Sequence, residues 1–210
     1  AATVYGDISV ILGGSGEGSS ATAFNISHFE GDHLCVLKSG RVFGCNNLNG
    51  SPQGNVTVTV WKTTEGNTPR SETADKNNPN ATYEVAAVYG GGNLANYAPT
   101  ASGKKSHVII YGCSDTSIEY VYGGGNAAAV PQASVDVNAA YEIGYVFGGG
   151  NGKDDYTLDG STWKTNPGAN VNGNANTMLF GGTIHEAFGG SNEKGRITGN
   201  RRSEERRVGQ

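Results

Sequence analysis

The sequence is poor in charged residues, proline and sulfur. Charged residues make up 16% of the 210 residues, and there are six Pro, three Cys and one Met. Because Pro is scarce and Gly follows no strict three-residue period, a collagen helix is excluded. No apolar run is long enough to span a bilayer, and no basic stripe interleaved with aromatic residues supports nucleic-acid binding. Amphipathic helical windows are also missing, which favours a β-rich fold.

The three cysteines indicate no metal site. Cys35, Cys45 and Cys113 form no C-x-x-C pair and have no Cys/His spacing typical of zinc. One interpretation is a Cys35–Cys45 disulfide in an oxidising compartment, which leaves one cysteine over. The other is that Cys45 and Cys113 are small residues that replace glycine at turns.

Glycine and asparagine are abundant instead, at 34 and 21 copies, and they recur in a six-residue motif. The three clearest copies are V-Y-G-G-G-N at 88–93, V-Y-G-G-G-N at 121–126 and V-F-G-G-G-N at 146–151. Three degenerate copies are I-L-G-G-S-G at 11–16, V-F-G-C-N-N at 42–47 and A-F-G-G-S-N at 187–192. Self-similarity at a loose spacing of roughly 25 to 46 residues is typical of a repeat architecture.

An apolar position three residues before the Val completes the unit I-x-x-V-Φ-G-G-G-N, in which Φ is aromatic or Leu. β-branched and aromatic residues at this density favour strands. The glycine triplet can adopt positive φ and predicts a sharp turn. Equivalent residues of stacked units are expected to form columns. The repeat positions of the three clearest copies are Val88, Tyr89, Gly90, Asn93, Val121, Tyr122, Gly123, Asn126, Val146, Phe147, Gly148 and Asn151.

Two of these columns have a specific physical purpose. Glycine is expected where one backbone crosses closely over the next. The asparagines are expected to pair their side-chain amides from unit to unit, as Asn ladders do in cross-β stacks. That column contains Asn47, Asn93, Asn126, Asn151 and Asn192.

A second strand precedes the motif in several units, at 55–60, 106–112, 133–138 and 176–182. Residues 1–200 are therefore predicted to form an all-β fold, namely a single parallel β-solenoid of about six units. Loop insertions are predicted at its glycine corners, at 65–79, 94–105 and 152–169. A β-propeller is the alternative, although uneven spacing and two strands per unit fit four-stranded blades poorly.

The segment G-G-N-G-K-D-D-Y at 149–156 fits the calcium-binding repeat G-G-x-G-x-D-x-U. Its candidate metal ligands are Asn151, Asp154 and Asp155. Such ions lie between successive copies of the pattern, and the match occurs once in this chain. The favoured interpretation is therefore a glycine corner followed by an acidic loop, in a chain that needs no cofactor. A calcium-stabilised β-roll is the alternative.

Ionisable residues do not collect as catalysis would require. The position after the first Ile of the unit holds Ser9, Ala86, Glu119, Gly144 and His185, so no two neighbouring units contribute an ionisable group. Glycan cleavage uses paired carboxylates, and no nucleophile elbow or phosphate-binding loop is present. The chain is predicted not to be an enzyme, with a carbohydrate-active β-helix as the alternative. The aromatics in or beside the insertions are expected to cap the fold rather than to stack on sugars: Trp61, Tyr97 and Trp163.

The last ten residues differ from the rest. Residues 201–210 carry four Arg and two Glu, within a chain of net charge −4. The run R-S-E-E-R-R-V-G at 202–209 resembles the translated read-through of a sequencing-library adaptor. We therefore predict that 201–210 is a disordered, non-native tail that packs against nothing. The chain is also expected to be a fragment whose open ends associate end to end.

The V-Y/F-G-G-G-N units resemble the glycine-rich repeat regions of large surface or secreted proteins of gut Bacteroidota, over about residues 8–200. The resemblance implies an extracellular or cell-surface location. It also implies an adhesin-like structural role as spacer and display surface, with host or bacterial surface glycans or proteins as partners. No catalytic residues come with it.

Overall fold

The computed structural model describes residues 3–13, 40–63, 83–113, 116–153, 155–157 and 161–205. Within these ranges the chain forms strands and no helix, so the predicted all-β class is confirmed. The strands are β1 (Thr3–Val4), β2 (Ile8–Leu12), β3 (Arg41–Phe43), β4 (Ser51–Pro52), β5 (Val56–Val60), β6 (Val85–Tyr89), β7 (Ser106–Ile110), β8 (Ser117–Tyr122), β9 (Ala133–Val137), β10 (Glu142–Phe147), β11 (Tyr156–Thr157), β12 (Trp163–Lys164), β13 (Ala175–Leu179), β14 (Ile184–Phe188) and β15 (Arg201–Glu205).

Most strands belong to two large parallel sheets. The six-stranded sheet has the order β15-β13-β9-β7-β5-β2, and the five-stranded sheet has the order β14-β10-β8-β6-β3. β1 and β4 form a two-stranded parallel sheet, and β11 and β12 form an antiparallel pair. The prediction of a single parallel β-solenoid is therefore wrong, because the strands are divided among separate sheets. The physical reason is that each strand bonds to its equivalents in neighbouring repeats, and the chain turns between the two strands of one repeat.

Equivalent strands of successive repeats pair without a register shift. Val88 lies opposite Val121, and Val121 lies opposite Val146. The next position pairs Tyr89 with Tyr122, and Tyr122 with Phe147. A slip of one residue would exchange the Val and aromatic faces of a strand. The alternation of the two residue types therefore fixes the register.

The two large sheets share one hydrophobic core. In β5 the Val side chains are buried and the Thr side chains between them are half-buried, as the alternating sequence predicts. Burying these β-branched side chains stabilises the sheets by roughly 1.5–3 kcal/mol for each fully buried Val or Ile. The fully buried members of this core are Val58, Val60, Val85, Val88, Val108, Ile110, Ile118, Val121, Val135, Val137, Ile143 and Val146.

The glycine triplets do not use positive φ, which corrects the expectation from the sequence. The positive-φ glycines of the described residues lie elsewhere, for example Gly112 at 96° and Gly182 at 102°. The triplets instead lie where neighbouring backbones approach closely. A Cβ on Gly90 would overlap the carbonyl oxygen of Gly123, and a Cβ on Gly123 would overlap that of Gly148. Glycine is required there because of the adjacent repeat, as the close-crossing argument predicts.

The predicted insertions are not all plain loops. Residues 65–79 lie outside the described residues. The insertion at 94–105 contains no strand and connects β6 to β7. The one at 152–169 contains the antiparallel pair β11–β12.

The tail at 201–210 is predicted to be disordered and to pack against nothing. In the structure, Arg201–Glu205 forms a strand that pairs in parallel with Ala175–Leu179. An edge strand offers unpaired N–H and C=O groups that a following segment can bond whatever its side chains. Residues 206–210 lie outside the described residues.

Candidate functional site

The outer face of the five-stranded sheet carries a column of stacked aromatic rings. Successive ring centroids are 4.6, 4.7, 5.2 and 5.0 Å apart, and the interplanar angles are 11°, 12°, 12° and 13°. These distances follow from the spacing of about 4.8 Å between paired strands. From one end to the other the rings are Phe43, Tyr89, Tyr122, Phe147 and Phe188.

A second column lies beside the first, two residues earlier in each strand. Tyr120 and Tyr145 stack at 5.0 Å and 13°, and Tyr120 lies 6.0 Å from Tyr122 of the first column. This column is not among the features predicted from the sequence. The signal was present, since residues two apart in a strand share a face. In register order the column reads Arg41, Ala87, Tyr120, Tyr145 and Glu186.

The predicted asparagine column is confirmed as a ladder of side-chain hydrogen bonds. The Nδ2 of Asn93 donates to the Oδ1 of Asn47 at 2.8 Å. The same bond joins Asn126 to Asn93 at 2.9 Å and Asn151 to Asn126 at 2.9 Å. Asn192 continues the ladder to Asn151 at 3.0 Å. All the amides point the same way, so each interior residue both donates and accepts along the stack.

The ladder explains how polar side chains can be buried at the glycine corners. Asn126 is 8% exposed and Asn151 is 5% exposed. Buried amides without partners would cost roughly 1–3 kcal/mol each, and the ladder supplies those partners. The burial argument therefore explains the asparagine at two of the corners, those of Asn126 and Asn151.

A groove runs between the second aromatic column and the ladder, with the first column along its floor. It consists of two adjoining depressions of about 220 and 230 Å³. Tyr120, Lys153 and Asn192 border both of them, so the groove is continuous. The first depression is also lined by Arg41, Ala86, Ala87, Tyr89, Glu119, Tyr122 and Asn151. The second is also lined by Tyr145, Phe147, Phe188 and Ser191.

The candidate calcium ligands have other bonding partners in this structure. The Oδ1 of Asn151 accepts from Asn192 within the ladder. The Oδ1 of Asp155 accepts the backbone N–H of Asn166 at 2.9 Å and lies 3.8 Å from the Lys194 Nζ. Asp154 lies outside the described residues. In the part of the chain that the structure describes, no three His, Cys, Asp or Glu side chains are grouped closely enough to hold a metal ion.

Two histidines form pairs with carboxylates. The Nε2 of His107 lies 2.7 Å from the Oδ2 of Asp136, and the Nε2 of His185 lies 2.9 Å from the Oε1 of Glu142. The first pair belongs to the six-stranded sheet and the second to the five-stranded sheet. The fold therefore keeps the two pairs apart, and neither borders the groove.

Cys45, one half of the predicted Cys35–Cys45 disulfide, is a free thiol in the structure. Its Sγ donates to the carbonyl oxygen of Gly90 at 3.7 Å. Burial raises the pKa of the Cys45 thiol to about 12, which keeps it protonated and unreactive. Cys35 itself lies outside the described residues. Cys45 therefore fits the interpretation of a small residue in a glycine position.

The three aromatics of the insertions have different environments. Tyr97 is 1% exposed, and its hydroxyl donates to the Gly54 carbonyl. Burial, assisted by nearby Cys45 and Asp7, raises the pKa of Tyr97 above its usual range. Trp61 stacks on Tyr111 at 4.3 Å. Tyr97 is therefore buried and Trp61 is half-buried, whereas Trp163 is 69% exposed.

No helix in the described ranges is long and apolar enough to cross a membrane. No family model matches this chain, and no curated protein or solved structure matches it either.

Proposed function

We propose that this chain is a non-catalytic structural and adhesive repeat module of a cell-surface or secreted protein, which acts as a spacer and a display surface. The asparagine ladder is the observation that supports this proposal best. It links equivalent positions of five successive repeats by side-chain hydrogen bonds of 2.8 to 3.0 Å. Together with the backbone pairing, such a ladder resists bending between repeats. A spacer needs that stiffness.

The residues that line the groove favour binding over cleavage. Among the described lining residues, Glu119 alone carries a carboxylate. Hydrolysis of a glycosidic bond uses two carboxyl groups on either side of the bond. The remainder of the lining consists of aromatic rings, alanine methyl groups, asparagine amides, a serine hydroxyl, the Lys153 amine and the Arg41 guanidinium. Groups of these kinds hold and orient a ligand in a binding site. The proposed surface therefore displays and binds, and it leaves its ligand intact.

Stretching single molecules tests the spacer role. The chain is held between two handles and extended at constant speed. We expect one cooperative rupture, because the repeats share a continuous core and ladder. The matched control is Val121→Asp, which places a charge at a fully buried core position and is expected to remove the rupture. Gradual extension of the unsubstituted chain at low force would contradict the spacer role.

Incubation with polysaccharides tests the non-catalytic role. We expect no release of reducing ends from any substrate. Release that disappears in Glu119→Gln would contradict the proposal, because the groove would then be an active site.

A further inference from the structure

We propose that the end of the stack formed by β13, β14 and Asn192 binds the β2–β3 repeat of a second copy of this chain. Copies joined in this way stack head to tail, and β15 must leave β13 before the second copy can dock. The inference goes beyond the spacer role proposed above and does not depend on it. It is carried by columns of residues whose two ends are complementary, and by a glycine at one end of the stack that has no neighbour.

The second aromatic column ends in opposite charges. It begins at Arg41 on β3 and finishes at Glu186 on β14, and both residues are exposed. In the register that the paired strands share, β3 of a second copy would place its Arg41 directly opposite Glu186. Opposite charges that face each other across paired strands stabilise the pairing, and like charges destabilise it. The charges therefore favour contact between unlike ends.

The asparagine ladder also has two different ends. Each Nδ2 donates to the Oδ1 of the preceding repeat, from Asn192 at one end to Asn47 at the other. Among the described residues, no group donates to the Oδ1 of Asn192, and the Nδ2 of Asn47 donates to none. Asn47 of a second copy would donate to Asn192 as Asn192 donates to Asn151. Two like ends would bring two acceptors or two donors together, so the ladder selects the head-to-tail arrangement.

The first column of rings is open at the same end. Phe188 stacks on Phe147 at 5.0 Å on one side and is 43% exposed. The pairing that places Arg41 opposite Glu186 also places Phe43 of the second copy opposite Phe188, because each pair of residues is two positions apart in its strand. Stacking of these rings would bury the exposed face of Phe188.

Gly190 supports the same contact independently. It is the middle glycine of its corner and is equivalent to Gly91, Gly124 and Gly149. A Cβ on any of those three would lie 2.7 to 3.0 Å from a backbone nitrogen of the adjacent repeat. A Cβ on Gly190 would meet nothing within 4 Å. A repeat of a second copy stacked on this corner would supply the close backbone that requires glycine.

β15 fits the edge of β13 less well than β2 does. One inner-face column of the six-stranded sheet is apolar from β2 to β13 and holds Glu205 at β15; its members are Leu12, Val60, Ile110, Val137 and Leu179. Burying a carboxylate is costly and burying a leucine is favourable. β15 also makes this sheet one strand longer than the other. β2 and β3 of a second copy can therefore dock together only when β15 is displaced.

Sedimentation velocity of the full chain over a range of concentrations tests the contact. We expect oligomers that grow with concentration, because a head-to-tail contact does not close at a dimer. Arg41→Glu and Glu186→Arg should each weaken association about tenfold, since each places like charges opposite one another. The double variant Arg41→Glu/Glu186→Arg should restore it. Lys105→Glu, an exposed residue before β7 in the middle of the stack, is the matched control and should associate as the unsubstituted chain does.

Deletion of residues 201–210 tests the role of β15. The edge of β13 is then free, so association should strengthen about tenfold or more while the circular dichroism spectrum is kept. Glu186→Arg in the shortened chain should weaken association again. This second variant shows whether the shortened chain uses the same contact.

Three results would overturn the inference. They are association that stops at a dimer, a double variant that associates no better than the single ones, and a deletion that leaves association unchanged or weakens it. The stretching experiment separates this inference from the spacer role, because it extends one molecule in the absence of a second. A chain that ruptures cooperatively but stays monomeric would contradict only the head-to-tail contact.

Discussion

At the scale of single residues, Thr177 is out of place in its column. Thr177 pairs with Val135 on the inner face of the six-stranded sheet. The column continues from Val135 to Val108 and then to Val58, so every other position named here is a valine. Its side chain is fully buried, and its Oγ1 has no hydrogen-bond partner. A buried hydroxyl in that state costs roughly 1–3 kcal/mol. The column therefore contains a correctable defect.

Thr177→Val is expected to raise the free energy of unfolding by about 1 kcal/mol, because it replaces the hydroxyl with a methyl group of similar size. This corresponds to a rise of roughly 2–4 °C in the melting temperature. Calorimetric melting measures it. The control is Thr57→Val, a half-buried position in the same sheet, which should change stability by less than about 0.5 kcal/mol. A fall in stability for Thr177→Val would mean that the hydroxyl bonds to a group in the folded chain.

At the scale of elements, backbone hydrogen bonds join the repeats at the glycine corners as well as along the strands. Gly90 donates its N–H to the Tyr122 carbonyl at 2.9 Å, and Gly123 donates to the Phe147 carbonyl at 2.9 Å. The backbone pairing thus continues past the end of each strand into the corner. The asparagine ladder lies directly after this segment, so its stability adds to that of the corner.

The position of an asparagine in the ladder should determine how much it stabilises the fold. Asn126→Ala removes two ladder bonds, and it should lower the free energy of unfolding by about 2 kcal/mol. Asn192→Ala removes one bond at the end of the ladder, so about half that loss is expected. Urea denaturation of both variants measures the difference. Equal losses would show that the ladder bonds do not contribute separately.

At the scale of the whole molecule, the five-stranded sheet has an edge that can attract another chain. β14 pairs with β10 on one side and with no described strand on the other. Its last residue, Phe188, is 43% exposed and stacks on Phe147. An edge with unpaired backbone groups and an exposed ring is a template for strand addition. A second copy that contributes β3 would extend both the sheet and the column of rings.

We expect light scattering to show concentration-dependent association of the chain. Phe188→Lys should reduce it, because a charged side chain on an edge strand opposes strand addition. Trp163→Lys is the matched control. It removes a ring that is 69% exposed on β12, outside the five-stranded sheet, and should leave the association unchanged. A stable monomer at high concentration would contradict the prediction, as would equal effects of the two substitutions.

The sequence by itself determined the two main strands of each repeat and the columns of Val, aromatic and Asn residues in the motif. β-branched and aromatic residues in alternation specify both the extended backbone and the face that each side chain occupies. The repeated asparagines could be assigned to a ladder for a related reason. Residues at the same offset in each repeat must meet once the repeats pair in register.

The tertiary structure decided the features that depend on contacts between neighbouring repeats, namely the division into sheets, the need for glycine at the corners, and the groove. The division into two sheets depends on where hydrogen bonding stops, and the residues of one repeat do not encode that boundary. The glycine triplets are required by the carbonyl oxygens of the adjacent repeat, which only the stacked backbones bring near. The groove arises in the same way, because the residues that line it come from several repeats that only the stacking brings together.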